Sequence, residues 1–122
     1  MKSCVFCNNI FDIIYEDDYV YAMYDKFPVS KGHILIIPKE HMATYFDASI
    51  EIRKAIDKAL FILKDLLVKE YKPEGFNIGI NNGVVSGQTI FHLHVHLIPR
   101  YIGDVKDPTG GVRGVIPSKQ KY

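Results

Sequence analysis

Residues 91–100 read Phe-His-Leu-His-Val-His-Leu-Ile-Pro-Arg, and three of the chain's five histidines stand in that run. His92, His94 and His96 alternate with Leu93, Val95 and Leu97. In a β-strand, side chains alternate between faces. Three imidazoles would then share one face at steps of about 7 Å, while Phe91, Leu93, Val95 and Leu97 packed on a core. A merely solvated face would favour Lys, Glu and Thr, so a row of histidines points to chemistry. Two chemistries compete. One is a catalytic metal, for which a His-x-His pair on a strand is good zinc geometry. The other is nucleophilic catalysis by imidazole, with neighbours setting tautomer and protonation.

The segment before the run bears on that choice. Asn81-Asn82-Gly83-Val84-Val85-Ser86-Gly87-Gln88-Thr89 is rich in glycine, amide and hydroxyl groups. Such a loop can aim backbone N–H groups, amides and hydroxyls at an anionic oxygen, although taken alone it also reads as a hairpin loop of ordinary turn residues. No carboxylate occurs between Glu74 and Asp104, where a metal hydrolase would more often bring one. An anion beside imidazole points to phosphate chemistry. At the other end of the chain, Cys4 and Cys7 are the only cysteines. Such a C-x-x-C pair is open to three readings: a redox pair, half a zinc site, or coincidence.

These residues need elements to position them. The 122 residues, 48% hydrophobic and 24% charged, suit one domain with a real core. We take 1–122 as that domain, with a Gly- and Pro-rich tail over 102–122. A formal net charge of +1 with scattered Lys and Arg offers no footprint for nucleic acid. No secretory leader or membrane-spanning run is legible, so a cytoplasmic protein is expected. Strands are expected at 12–16 and 19–24, with Asp17-Asp18 in the turn between them, and at 33–37, 76–80 and 90–98. The run 33–37 is apolar on both faces and belongs in the centre of a sheet. A helix is expected over 48–70, capped by Asp47, because Ile52, Ala55, Ile56, Ala59, Leu60, Leu63, Leu66 and Leu67 recur every three or four residues. Strands, one long helix, then strands again favour an α+β fold with a mostly antiparallel sheet.

The stretch GQTIFHLHVHLIPR resembles the histidine triad family, whose signature is His-φ-His-φ-His-φ-φ with φ apolar; here it is His92-Leu93-His94-Val95-His96-Leu97-Ile98. DKFPVSKGHILIIPKEHM, upstream, is similar to a second segment of that family, and the likeness covers roughly residues 4–100. The resemblance implies a five-stranded antiparallel sheet with one long helix, doubled into a larger sheet by a homodimer. It also implies hydrolysis or transfer at the α-phosphate of a nucleotide ester, anhydride or amide, such as a diadenosine polyphosphate, with adenine the usual base. His94 would be the nucleophile and form a nucleotidyl-histidine. His96 would hold the phosphate oxygens, and His92 would complete the catalytic set. Gln88 and Thr89 align with phosphate or leaving-group contacts, Asn81 with a polar group near the phosphate, and Asp25 with the ribose hydroxyls. Phe6, Ile10 and Tyr24 are candidates to sandwich the base, and Arg113 to meet a distal phosphate.

The resemblance also supplies partners for the cysteines. Cys4, Cys7, His41 and His92 would form a closed Cys₂His₂ set for a structural zinc that pins the N-terminal segment to the catalytic strand. No organic cofactor is expected, and His33 is assigned a structural hydrogen bond. Two other functions stay open: a nucleotide-binding regulator with little turnover, and a metalloenzyme with a catalytic zinc on all three triad histidines. A homodimer also has a physical reason. Ile50, Phe61, Ile62 and Val68 lie off the helix's main apolar stripe, and the strand at 76–80 needs a neighbour.

Overall fold

The computed structural model describes residues 3–8 and 12–122; Ile10 lies outside them. Five strands form one antiparallel sheet in the order β1-β2-β3-β5-β4. They are β1 Tyr15–Glu16, β2 Val20–Tyr24, β3 Ile34–Pro38, β4 Gly75–Gly79 and β5 Val95–Arg100. One long helix, α1, runs from Ile50 to Tyr71 between β3 and β4. This is the α+β architecture expected, with the doubly apolar β3 buried along its whole length in the middle of the sheet.

Side-chain alternation divides the sheet into two faces. Val20, Ala22, Ile34, Ile36, Val95 and Leu97 turn to α1 and meet Ile52, Ala55, Ile56, Ala59, Leu63 and Leu67 in the main core. Tyr21, Met23, Leu35 and Ile37 turn the other way and are covered by Phe6 from the N-terminal segment. The Tyr21 hydroxyl donates to the Phe6 carbonyl at 2.6 Å, which fastens that segment to the sheet. His96 lies opposite Leu35 in the β3–β5 register and so belongs to this second face.

The strand expected at 12–16 is confined to Tyr15–Glu16, and two further boundaries differ from expectation for local reasons. The helix cap is Ser49, whose hydroxyl accepts from the Ile52 N–H. Asp47 instead accepts from the N–H and hydroxyl of Thr44 in a short 3₁₀ turn, Tyr45–Asp47. The last strand begins at Val95, not at residue 90. The segment before it is tied elsewhere, by Leu93 N–H to the Met42 carbonyl and by the Gln88 amide to the Ile90 carbonyl. His92 and His94 therefore precede the sheet, and Phe91 is exposed.

Pro99 sits within β5, where a missing N–H would break a ladder. A residue's N–H and C=O point to the same side of a strand, and the Pro99 carbonyl accepts from Ser30 Oγ. The missing donor thus faces the 25–33 loop beyond the end of β3, where no strand partner stands. That loop turns at Gly32, whose φ is +87° and whose added Cβ would meet Leu67 at 2.9 Å. Both the conformation and the close approach to α1 require glycine there. The tail forms 3₁₀ turns at Gly111–Val115 and Pro117–Lys119.

Candidate active site and metal centre

The three triad histidines turn to three different sets of partners. His92 is fully buried and faces the N-terminal segment. Its Nδ1 lies 3.4 Å from both Cys4 Sγ and Cys7 Sγ and 3.1 Å from His41 Nδ1. Cys7 Sγ is 3.2 Å from His41 Nδ1. The four candidate ligand atoms all lie within 4.8 Å of one another. With Zn–N near 2.05 Å and Zn–S near 2.3 Å, a tetrahedral site would space its ligands roughly 3.3–3.7 Å apart. The observed spacings match that within a few tenths of an ångström. His92 Nε2–H donates to the Pro38 carbonyl at 2.7 Å. That bond leaves Nδ1 as the free lone pair, the outer support a metal-bound imidazole needs. Cys4, Cys7, His41 and His92 are thus arranged to hold a metal with no open coordination position.

His94 Nδ1–H donates to the backbone carbonyl of His92 at 2.8 Å. Its Nε2 has no hydrogen-bond partner among the described residues. The Phe6 ring stands 5.1 Å from the His94 ring, centroid to centroid. A carbonyl that fixes one nitrogen as the donor makes the other a lone pair, which is the state a nucleophilic imidazole requires.

His96 turns to the 25–33 loop. Its Nδ1 is 2.9 Å from His33 Nε2, and the Asp25 carboxylate lies 3.5 Å from the same His33 nitrogen. Burial, and then the neighbouring His94 and His33, push the His96 imidazole down to about 4. Burial also lowers His33, against the pull of Asp25. Asp25 spends its other oxygen on the Phe27 N–H at 2.9 Å. A single zinc on all three triad histidines is overturned by this arrangement: His92 joins the cysteines, His96 joins Asp25 and His33, and His94 joins neither group.

The loop over 81–89 is tighter than its composition suggests. Gly83, Ser86, Gly87 and Gln88 use their N–H groups within the loop. Gln88 is buried at its centre: its carbonyl oxygen accepts from Gly83 N–H, and its amide donates to the carbonyls of Ala43 and Ile90. Those amides are therefore not free to meet an anion. Asn81 is half-buried at the start of the loop and Thr89 is exposed at its end, beside Cys4 and His41. Asn82, not singled out from sequence, anchors the loop by accepting the Tyr45 N–H at 2.9 Å.

The expected base sandwich does not form from Phe6 and Tyr24. Tyr24 packs on the helix face and Phe6 on the opposite one. Arg113 donates to the carbonyls of Lys119 and Gln120 and stacks over Tyr122, so the tail consumes its charge locally.

Residues 8–103 match the HIT domain model, and the chain belongs to that family. It is 39% identical over 105 residues to the Protein hit of Bacillus subtilis (strain 168), covering 82% of this chain and 72% of that one. It is 38% identical over 104 residues to the Adenylylsulfatase HINT3 of Arabidopsis thaliana, covering 81% of this chain but only 53% of that longer protein. Among solved structures, a Zn-bound histidine triad family protein from Mycobacterium smegmatis superposes with a TM-score of 0.79 at 32% identity, covering 87% of this chain and 81% of that one.

Proposed function

We propose that this protein is a nucleotide hydrolase or nucleotidyl transferase that attacks the α-phosphate of an adenine nucleotide ester, anhydride or phosphoramidate. One observation carries the reading: His94 is locked to the His92 carbonyl through Nδ1, which leaves Nε2 as the lone pair. In the first step His94 Nε2 bonds to phosphorus and the bond to the leaving group breaks, with the electron pair departing on that group. In the second, water displaces His94 and releases the nucleoside monophosphate. Imidazole attacks phosphorus and leaves it readily, so one hard displacement becomes two easier ones. His96 contacts the phosphate oxygens as a neutral donor. Thr89 and Asn81 border the phosphate, and Asp25 meets the ribose hydroxyls with the carboxylate that also lies 3.5 Å from His33. Gln88 contributes by shaping the loop, a change from the contact expected of it. Name and family likeness to HINT3 add adenylyl sulfate to the substrate classes to be tested, beside diadenosine polyphosphates and phosphoramidates.

Zinc bound by Cys4, Cys7, His41 and His92 would supply charge and rigidity. His92 would thereby hold the carbonyl that orients the nucleophile, and no organic cofactor enters the scheme. Reduced cysteine ligands fit a cytoplasmic protein, and among the described residues no helix is long and apolar enough to cross a membrane. The reading takes 1–122 as one domain whose tail, 102–122, borders the leaving group.

The partner besides the nucleotide is a second copy of the chain. A groove between α1 and the edge strand β4 is lined by Leu60, Phe61, Phe76, Ile78 and Leu97. Phe61 and Ile78 are 69% and 52% exposed, and the tail leaves them so. A two-fold copy would cover this groove and pair the β4 edge in one self-complementary contact.

A hydrolysis panel of diadenosine polyphosphate, adenosine phosphoramidate and adenylyl sulfate tests the activity. Release of adenosine monophosphate from at least one, at a rate tied to His94, is expected. Tight nucleotide binding with no turnover of any of the three would leave a regulator instead.

A further inference from the structure

His33 is 3% exposed, lies 63 residues from His96 in sequence, and has no part in the displacement just described. Its surroundings nonetheless determine where its hydrogen sits. The Val29 N–H donates to His33 Nδ1 at 3.1 Å. A backbone N–H can only donate, so Nδ1 is the acceptor and the hydrogen of a neutral His33 is on Nε2. That Nε2 is 2.9 Å from His96 Nδ1, which must then accept. The hydrogen of His96 is forced in turn onto its own Nε2, which has no hydrogen-bond partner among the described residues.

We propose that His33 is a positioning residue that fixes His96 as the Nε2–H tautomer, so that His96 presents a hydrogen-bond donor, and not a lone pair, to an anionic oxygen of the substrate. The role for His96 rests on the function proposed above; the tautomer does not. The arrangement also argues against a second metal at Asp25, His33 and His96, although their ligand atoms lie within 4.8 Å of one another. A His33 Nε2 that carries a hydrogen has no lone pair to give a metal.

The carboxylate explains why the lock is needed. Without His33, the carboxylate left beside His96 is Asp25, which has an oxygen within 4.8 Å of a His96 ring nitrogen. A carboxylate beside an imidazole draws the hydrogen to the nitrogen that faces it, as it does in a Ser-His-Asp triad. His96 would then turn its lone pair toward the anion and repel it. The loop that carries the lock is itself closed, by Asp25 N–H to the His33 carbonyl at 2.9 Å and His33 N–H to the Ser30 carbonyl at 3.2 Å.

Nitrogen-15 NMR of the imidazoles in the resting wild-type protein at pH 7 reads both tautomers with no substrate present. Both histidines are expected as Nε2–H forms; an Nδ1–H form of either overturns the proposal, whether or not a variant folds. In His33→Phe, His96 should change to the Nδ1–H form and turnover should fall by about a hundredfold or more, the scale of a lost donor to a developing anion. His33→Gln keeps an N–H donor and should restore the Nε2–H form and most of the rate; Asp25→Asn added to His33→Phe should restore the tautomer. A His33→Phe protein whose His96 stays in the Nε2–H form refutes the lock. If no substrate turns over but the tautomers are as stated, the proposed function fails and the lock stands.

Discussion

Protonating His96 should destabilise the protein, and the size of that effect follows from its site. The imidazole stands in a half-buried pocket beside His94 and His33, and these surroundings lower it from 6.5 to about 4. The unfolded chain therefore binds more protons than the folded one between those values. Stability rises with pH wherever the unfolded state binds more protons. The increment is thus fully present above pH 6.5 and is lost as pH falls toward 4. A difference of 2.5 between those two values, at about 1.36 kcal/mol each, gives a limit of about 3 kcal/mol. At pH 4.5 most of that limit applies, and solvent screening at a partly open site cuts it to about 1–1.5 kcal/mol. The perturbation is His96→Asn, which keeps a donor and removes the titration. Urea unfolding of both proteins at pH 7.5 and 4.5 is the assay. Wild type should lose about 1–1.5 kcal/mol more than the variant on acidification. Equal losses would mean that His96 titrates normally and is a cation in weak acid, and the neutral-donor role would fall with it.

Two further outcomes follow from the metal centre and the exposed groove. Elemental analysis should find one zinc per chain in wild type and none in Cys7→Ser. At free zinc a thousandfold above its dissociation constant, the metal contributes about 4 kcal/mol. That corresponds to a drop in Tm of roughly 15 °C in a chain of this length; wild-type protein with no zinc and two freely titrating thiols would refute the site. Phe61→Glu should convert a dimer into a monomer in light scattering at micromolar concentration, and a wild-type mass near the 13.9 kDa of one chain would remove the dimer altogether.

Much of the frame was legible because burial imprints itself on residue type. The apolar run before Pro38 marked β3 as central, and the three- and four-residue spacing of Ile52 to Leu67 marked α1 and its buried face. The zinc ligand set was reachable only through family likeness, since no local pattern joins Cys4 to a histidine 88 residues away. The start of β5 was misread because period-two alternation reports which side chains are buried, not which backbone groups pair. Leu93 is buried like a strand residue, but its N–H goes to Met42. Asp47 and Ser49 are both good caps two residues apart, and only the hydrogen bonds separate them. Gln88 offered the same amide whether it faced a ligand or its own loop, and the Gly83 and Ala43 partners decide for the loop. The His33–His96 contact carried no sequence signal, because strand pairing across the α1 insertion creates it.

The measurement closest to the central claim is mass spectrometry of wild-type protein quenched during turnover of an adenine nucleotide substrate. An acid-labile nucleotidyl adduct on His94 is expected, absent from His94→Ala, whose turnover should fall by more than the roughly 10²–10⁴-fold that lost general acid–base help alone would cost. Turnover with no adduct on any histidine, together with a His94→Ala protein that keeps more than about a hundredth of the wild-type rate, would contradict a covalent mechanism through His94.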